Sequence, residues 1–156
     1  MNNVMNILNT IDNSHPKFEK SIFRELASAS AKQKGTIGED ITKSLLSDEG
    51  FEVTDRCSKE HDCMVNGKMV EIKTAMERKD DEIFTFYGYD PTEDPHYWVF
   101  TFISPNDIYV IKMTRCNMAE IILGKTRKNI MINVTLEDMI NAGGEILVYK
   151  EDNDLM

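Results

Sequence analysis

Hydrophobic residues recur every three or four positions in the first third of the chain, which is typical of helices with one buried face. The first such stretch predicts a helix that begins at Ser14-His15-Pro16, because proline suits the first turn. The second stretch predicts a helix from about Gln33 to Asp48. The helical spacing is carried by Phe18, Ile22, Phe23 and Leu26 in the first helix and by Ile37, Ile41 and Leu45 in the second.

The period of the pattern shortens to two after Gly50, and this change predicts strands. Asn66-Gly67 separates two of them and is a strong signal for a tight hairpin, so residues 51–73 are expected to form an antiparallel meander. Residues 97–103 are almost entirely apolar, which favours a central strand covered on both faces. The predicted strands are 51–54, 62–65, 68–73, 83–87, 97–103, 108–111, 130–134 and 146–149, with further helices at 117–123 and 136–141.

The order of these elements predicts one α+β domain that spans residues 1–156. A chain of 156 residues is long enough for a hydrophobic core of its own, and no internal repeat or linker divides it. The strands fall mostly into neighbouring hairpins, so we expect helices packed on a sheet built largely from hairpins. The asparagine-rich residues 1–13 are expected to be loosely ordered.

The composition is that of a globular protein, with 41% hydrophobic and 29% charged residues. No apolar run approaches the ~18 residues that cross a bilayer, and the first residues lack the basic and apolar blocks of a secretory leader. We therefore expect a cytoplasmic protein with no membrane contact. A zinc site drawn from Cys57, His61, Cys63 and Cys116 would have an unusual ligand spacing, so unpaired thiols are favoured.

The net charge of −9 bears on the partners of the chain. Proteins that bind DNA usually carry a basic surface, whereas here six acidic residues and no basic one fall between Asp80 and Asp94. This acidic stretch, residues 80–94, is a candidate surface for a protein partner. Divalent cations bound at carboxylates would offset part of the negative charge.

The strands on either side of Asn66-Gly67 carry the residues best suited to chemistry. Glu71 and Lys73 point to one side of their strand and Ile72 points to the core, because side chains alternate along a strand. Asp62 lies on the partner strand, and the tight turn allows it to approach Glu71. Two carboxylates and an ammonium at one sheet edge suit phosphodiester hydrolysis with Mg²⁺. A Glu-x-Lys pair on a strand is also common as a solvated ion pair.

Together with a glutamate on the preceding helix, these residues resemble the PD-(D/E)XK nuclease superfamily. The matching features are Gly38-Glu39 in the second helix, the strand 51–54, Asp62, and Glu71-Ile72-Lys73, and the resemblance covers roughly residues 33–111. The chain departs from the pattern at His61, where the name of the superfamily implies proline. The resemblance implies a restriction-endonuclease-like fold with a mixed central sheet flanked by helices.

The resemblance also implies roles for individual residues in a Mg²⁺-dependent reaction, with Mn²⁺ as a substitute. Asp62 and Glu71 would be metal ligands, with the Ile72 carbonyl as a further ligand. Lys73 would position or activate the attacking water. Glu39 would support a second metal ion or its hydration shell, and the alternative for this residue is a solvent-facing side chain.

Basic and hydroxyl side chains near these residues are candidate contacts to nucleic-acid phosphates. Such side chains are also common on protein surfaces in general, so each of them has the alternative of an ordinary surface residue. The candidates are Lys32, Lys34, Thr74, Arg78, Lys79 and the basic loop 125–128.

Two functional hypotheses follow from the sequence. The first is a Mg²⁺-dependent deoxyribonuclease that cuts DNA internally, with cleavage of the restriction type as its favoured form and a homodimer that brings one site to each strand. The second is a non-catalytic protein of the same fold that binds nucleic acid or assembles with a protein partner through the acidic stretch. Two carboxylates and a lysine at positions 62, 71 and 73 can meet on one side of the sheet, and this placement favours the first hypothesis.

Overall fold

The computed structural model describes residues 16–55, 62–124 and 129–156, and within them eight strands and five α-helices follow a 3₁₀ turn at Pro16–Phe18. The strands are β1 (Val53–Asp55), β2 (Cys63–Val65), β3 (Lys68–Met76), β4 (Phe84–Tyr89), β5 (Tyr97–Ile103), β6 (Asp107–Met113), β7 (Ile130–Val134) and β8 (Glu145–Glu151). The helices are α1 (Arg24–Ala27), α2 (Ala31–Asp48), α3 (Arg115–Ile122), α4 (Leu136–Asn141) and α5 (Asp152–Leu155).

Six strands form a mixed sheet in the order β1-β2-β3-β5-β6-β8. Only β3 and β5 pair in parallel; the other neighbours are antiparallel. Asn66 and Gly67 both have positive φ at the β2–β3 turn, which is the backbone that this dipeptide favours. The α+β class, the mixed sheet with its flanking helices and the β1–β3 meander are therefore confirmed.

β4 leaves the main sheet and pairs antiparallel with β7 instead. We call this two-stranded element the β4–β7 ribbon. Its apolar face packs on one side of the main sheet, where Phe86 meets Phe100 and Phe102 edge to face. The ribbon thus covers part of β5 and leaves its other face outside the core.

The main sheet separates two apolar clusters. Leu45 and Leu46 of α2 pack with Ile72 and Val99 on one face, and the ribbon, α3 and α4 pack with Trp98 on the other. All seven residues of β5 are buried, which confirms the predicted central strand. The sequence of a strand that is covered on both faces is typically an almost continuous apolar run.

The single helix predicted from Ser14 through Leu26 is wrong. The chain forms a 3₁₀ turn at Pro16–Phe18 and the short α1 after it. The Ser21 hydroxyl donates to the Pro105 carbonyl at 2.6 Å and accepts from the Phe23 N–H at 3.0 Å, so the chain turns between the two pieces. This tertiary contact keeps Phe23 in the core but leaves Ile22 exposed.

Other boundaries differ from the predicted ones by a few residues. β3 runs to Met76, three residues beyond its predicted end, and α5 is an element that the sequence pattern did not predict. No helix in the described part of the chain is long and apolar enough to cross a membrane. The expected loose order of residues 1–13, the helix start at Ser14-His15 and the basic loop 125–128 lie outside the described residues.

Candidate active site

A cleft opens where β2 stops pairing with β3. β2 covers only residues 68–70 of β3, whereas β5 pairs with residues 70–76. The second half of β3 borders a cleft of about 1040 Å³, whose other walls are the first half of α2 and the β4–β7 ribbon. Among the described residues, the lining of the cleft includes these site residues predicted from the sequence: Glu39, Asp62, Glu71, Ile72, Lys73, Lys32, Lys34, Thr74, Arg78 and Lys79.

Asp62 and Glu71 form a carboxyl pair beside β3. The Ile72 N–H donates a 2.7 Å hydrogen bond to Asp62 Oδ2, which fixes the Asp62 side chain against the strand. Glu71 is only 6% exposed. Burial and then the negative charges of Asp62 and Glu93 raise the pKa of Glu71 to about 8, and a side-chain hydrogen bond with Asp62 adds to this shift. The raised pKa means that a proton or a cation neutralises Glu71 more readily than an ordinary carboxyl group.

The Ile72 carbonyl adds a third oxygen at the same edge. A strand residue directs its N–H and C=O to one side, because paired residues on neighbouring strands exchange both bonds. The Ile72 N–H points to Asp62, so its carbonyl faces that side of β3 as well. The donor set at this edge consists of oxygen atoms alone, which is the chemistry that Mg²⁺ prefers.

Lys73 follows Glu71 on the same face of β3 and reaches across to the ribbon. Its Nζ donates a 3.0 Å hydrogen bond to the Gly88 carbonyl. Gly88 has φ of +75° and lies where the pairing of β4 with β7 shifts register, so a bulge directs this carbonyl to Lys73. Sequence reasoning missed Gly88, although a glycine inside a strand pattern is a signal for a bulge.

Glu39 approaches the cleft from the opposite face of the sheet, on which α2 packs. A capping box at Ser30 begins this helix. Gly38 then allows close packing on β3, since a Cβ at this position would lie 2.5 Å from Thr74 Cγ2. The Glu39 carboxylate pairs with Lys43 Nζ at 3.0 Å. Burial opposes the charge of Lys43, but Glu39 raises the pKa of this lysine above its ordinary value.

Thr74 packs directly beneath Gly38, which gives this threonine a structural role that the sequence did not predict. Two further threonines support the same contact between α2 and the sheet. The Thr42 hydroxyl lies 2.7 Å from the Gly38 carbonyl and 2.6 Å from the Thr101 hydroxyl, and both threonines are fully buried. The predicted contact between Thr74 and phosphate stays a prediction.

Four basic residues from two distant segments meet at the cleft: Lys32 and Lys34 from α2, and Arg78 and Lys79 from the loop after β3. Lys17 holds that loop, and sequence reasoning missed it. Its Nζ donates to the carbonyls of Arg78 and Asp81, each at 2.7 Å, and pairs with Glu77 at 3.2 Å. Arg78 and Lys79 thus stand on a loop whose backbone is hydrogen-bonded to Lys17 of the N-terminal segment.

The acidic stretch 80–94 does not form one continuous surface. Three of its acids precede β4 and three follow it, so they lie at opposite ends of the strand. Several are used locally: Asp81 accepts from the Ile83 N–H, Asp90 accepts from the Thr92 N–H, and Arg115 pairs with Asp94 at 3.5 Å. A protein partner at this stretch stays a prediction.

No three His, Cys, Asp or Glu side chains come together as a metal site within residues 16–55, 62–124 and 129–156. Two carboxylates and a carbonyl nevertheless suffice for Mg²⁺, because it keeps several waters. Of the residues considered for zinc, Cys57 and His61 lie outside the described residues. Cys63 is a free thiol whose pKa burial raises to about 11, which disfavours the thiolate that zinc binds.

Comparison with known proteins adds one structural likeness. No family model matches the chain, and no curated protein matches it either. A solved structure of a bacterial homing endonuclease is similar at a TM-score of 0.46 and 15% sequence identity, over 67% of this chain and 75% of the other.

Proposed function

We propose that the chain is a metal-dependent endonuclease that hydrolyses phosphodiester bonds in DNA. The observation that carries this proposal is the carboxyl pair of Asp62 and Glu71 in a cleft that also contains Lys73. A buried pair of acids is costly unless a proton or a cation neutralises it. The four basic residues at the cleft offer contacts to the phosphates on either side of the reacting one.

The residues of the cleft fit Mg²⁺, with Mn²⁺ as a substitute. Asp62, Glu71 and the Ile72 carbonyl would hold the ion, and its charge would neutralise the two carboxylates. When bound, the metal orients the scissile phosphate, offsets its negative charge and lowers the pKa of a bound water. Glu39, at the other wall of the cleft, would hold the hydration shell of this ion or of a second one.

Positioning of the attacking water would fall to Lys73. The Gly88 carbonyl orients the Lys73 ammonium two residues along the strand from Glu71. In this position, Lys73 would hold the attacking water in line and stabilise the charge that develops on the phosphate.

The order of the residues along the chain supports the same proposal. A helical Glu39, then Asp62, then Glu71-Ile72-Lys73 on the following strand is the order of the PD-(D/E)XK superfamily, whose restriction-endonuclease-like fold we propose for this chain. Cleavage of both strands of a duplex needs two such sites. We therefore propose a symmetric homodimer on DNA and cleavage of the restriction type.

The test is the cleavage of supercoiled plasmid, branched DNA and single-stranded DNA in Mg²⁺, Mn²⁺ or excess chelator. We compare the wild type with Asp62→Asn, which keeps the shape of the side chain but removes its charge. The matched control is Asp55→Asn, because the Asp55 side chain is 99% exposed and lies outside the lining of the cleft.

The proposal predicts metal-dependent cutting by the wild type and by the Asp55 variant, and loss of cutting in the Asp62 variant. Absence of cutting by the wild type on all three substrates with both metals would contradict it. Cutting that persists in chelator, or that survives Asp62→Asn, would contradict the assigned site.

A further inference from the structure

The β4–β7 ribbon presents one uncharged face to the cleft. Its buried face carries alternate residues of both strands, among them Phe84, Phe86, Ile132 and Val134. The residues between them point the other way and line the cleft: Thr85 and Tyr87 from β4, and Met131 and Asn133 from β7. In a chain of net charge −9, this wall is formed by neutral polar and apolar side chains.

This outer face exposes large apolar groups that the core does not use. Tyr87 is 71% exposed and Met131 is 48% exposed. Thr85 and Asn133 face each other across the ribbon, and the Thr85 hydroxyl donates to Asn133 Oδ1 at 2.7 Å. This bond leaves the two N–H donors of the Asn133 amide directed away from Thr85. Exposed apolar groups beside an oriented amide are typical of a recognition surface.

The shape and chemistry of this face match the major groove of DNA. That groove is wide enough for a two-stranded β-ribbon, and it displays donors, acceptors and the thymine methyl group at its floor. An asparagine amide pairs with adenine through one donor and one acceptor, a threonine hydroxyl hydrogen-bonds to several base edges, and an apolar side chain contacts the thymine methyl. Asn133, Thr85 and Met131 offer these three functions side by side.

We propose that the β4–β7 ribbon enters the major groove of duplex DNA and that Thr85, Met131 and Asn133 read base edges there. The inference rests on the proposed function, because the same cleft would then cut the backbone beside the bases that are read. It assigns sequence preference to side chains that take no part in the proposed catalysis, on the ribbon whose Gly88 carbonyl holds Lys73.

A duplex fits this face better than a single strand does. Proteins that hold single strands stack successive bases on several aromatic rings, whereas Tyr87 is the sole aromatic side chain among the four described residues of this face. The basic residues stand on other walls of the cleft, on α2 and on the loop after β3. Phosphates and bases would therefore be contacted by separate elements, as duplex readout requires.

The test is a binding selection from a pool of DNA duplexes with a randomised central stretch, in Ca²⁺ to limit cutting. Wild type, Lys73→Ala, Thr85→Val and Asn133→Thr are compared, because valine and threonine suit a strand and preserve the ribbon. Asn106→Ala is the matched control, since Asn106 is exposed in the turn between β5 and β6 and does not line the cleft. Plasmid cutting in Mg²⁺ is measured in parallel for each protein.

The inference predicts that the wild type and Asn106→Ala enrich the same sequence, and Lys73→Ala serves as the variant that loses cutting. Thr85→Val and Asn133→Thr should each lose roughly 10- to 100-fold of the preference at one base position and still bind the unselected pool. The same enriched sequence from all five proteins, or no enriched sequence from the wild type, would overturn the inference. Plasmid cutting decides the proposed function separately, because the selection in Ca²⁺ measures binding and does not depend on cutting.

Discussion

The two halves of β3 share one alternation of side chains but have different neighbours. Residues 68–70 pair with β2, and Val70 among them also pairs with β5. Residues 71–76, which we call the open half of β3, pair with β5 on one side and border the cleft on the other. Lys68 in the first half is exposed, whereas Glu71 in the second half is buried and Lys73 is half-buried against the Gly88 carbonyl. A strand that loses one partner is still held rigidly by the other. Its free edge borders the cleft, where charged side chains are partly buried. This suits the site that we propose, because catalytic groups on a rigid strand are held more precisely than groups on a loop.

The largest expected effect is a loss of DNA cleavage when a charged residue in the open half of β3 is substituted. Glu71→Gln keeps the size of the side chain and removes the charge that would hold the metal. Loss of a charged group aimed at the reacting centre costs about 100-fold or more in rate. Cleavage rates in Mg²⁺ should fall by this amount for Glu71→Gln and stay within a few-fold of wild type for the exposed Glu52→Gln. Equal rates for the two variants would remove Glu71 from the site.

The second effect is a pH dependence of stability in metal-free protein. Burial and then the charges of Asp62 and Glu93 raise the pKa of Glu71 from its ordinary value of 4.5 to about 8, so its proton stabilises the fold. This stabilisation is complete below pH 4.5 and is lost progressively as pH rises through about 8. Urea unfolding in chelator should show stability that falls over this window, less steeply in Glu71→Gln. The same slope in both proteins would contradict a raised pKa for Glu71.

The third effect compares two glycines of α2. Gly38 touches Thr74 of the open half of β3, whereas a Cβ at Gly35 would meet nothing within 4 Å. Gly38→Ala should therefore destabilise the protein by about 1–3 kcal/mol through overpacking. Gly35→Ala should stabilise it by about 0.5–1 kcal/mol, because alanine loses less backbone entropy in a helix. Thermal unfolding of both variants measures the contrast, and a shift of the same sign in both would refute the close contact.

The smallest effect concerns the loop that follows β3. Lys17→Met removes the bonds that tie the Arg78 and Asp81 carbonyls to the N-terminal segment. We expect a loss of about 1 kcal/mol or less, since the group is partly exposed. Hydrogen exchange at the Arg78 amide, which donates to the Ile83 carbonyl at 2.9 Å, should become faster. Lys20→Met, at an exposed neighbouring lysine, should leave this exchange rate unchanged.

The sequence predicted the elements whose pattern is local. β5 is an unbroken apolar run, and β7 and α4 carry clear periods, so their predicted bounds match the structure. The Asn66-Gly67 turn determines the register of β2 and β3, and that register brings Asp62 beside Glu71. Side-chain alternation then places Lys73 on the same face as Glu71.

Features that depend on contacts between distant segments could not be predicted from local sequence patterns. The bond from Ser21 to Pro105 interrupts the predicted first helix, and no local pattern reveals it. The pairing of β4 with β7 joins residues 41 to 50 positions apart, from Tyr89–Ile130 to Phe84–Val134, so neither the wall of the cleft nor the acceptor of Lys73 could be predicted. The approach of Glu39 from the opposite face depends on the contact of Gly38 with Thr74.

The most direct test of the central claim is the cleavage of supercoiled plasmid in Mg²⁺ by Lys73→Ala and Lys68→Ala, which remove the same group from the two halves of one strand. Lys73→Ala should lose roughly 100- to 1000-fold in rate, and Lys68→Ala should cut as the wild type does. Circular dichroism and thermal unfolding show whether each variant is folded. Comparable cleavage by the two variants would contradict the assignment of the open half of β3 as a hydrolytic site.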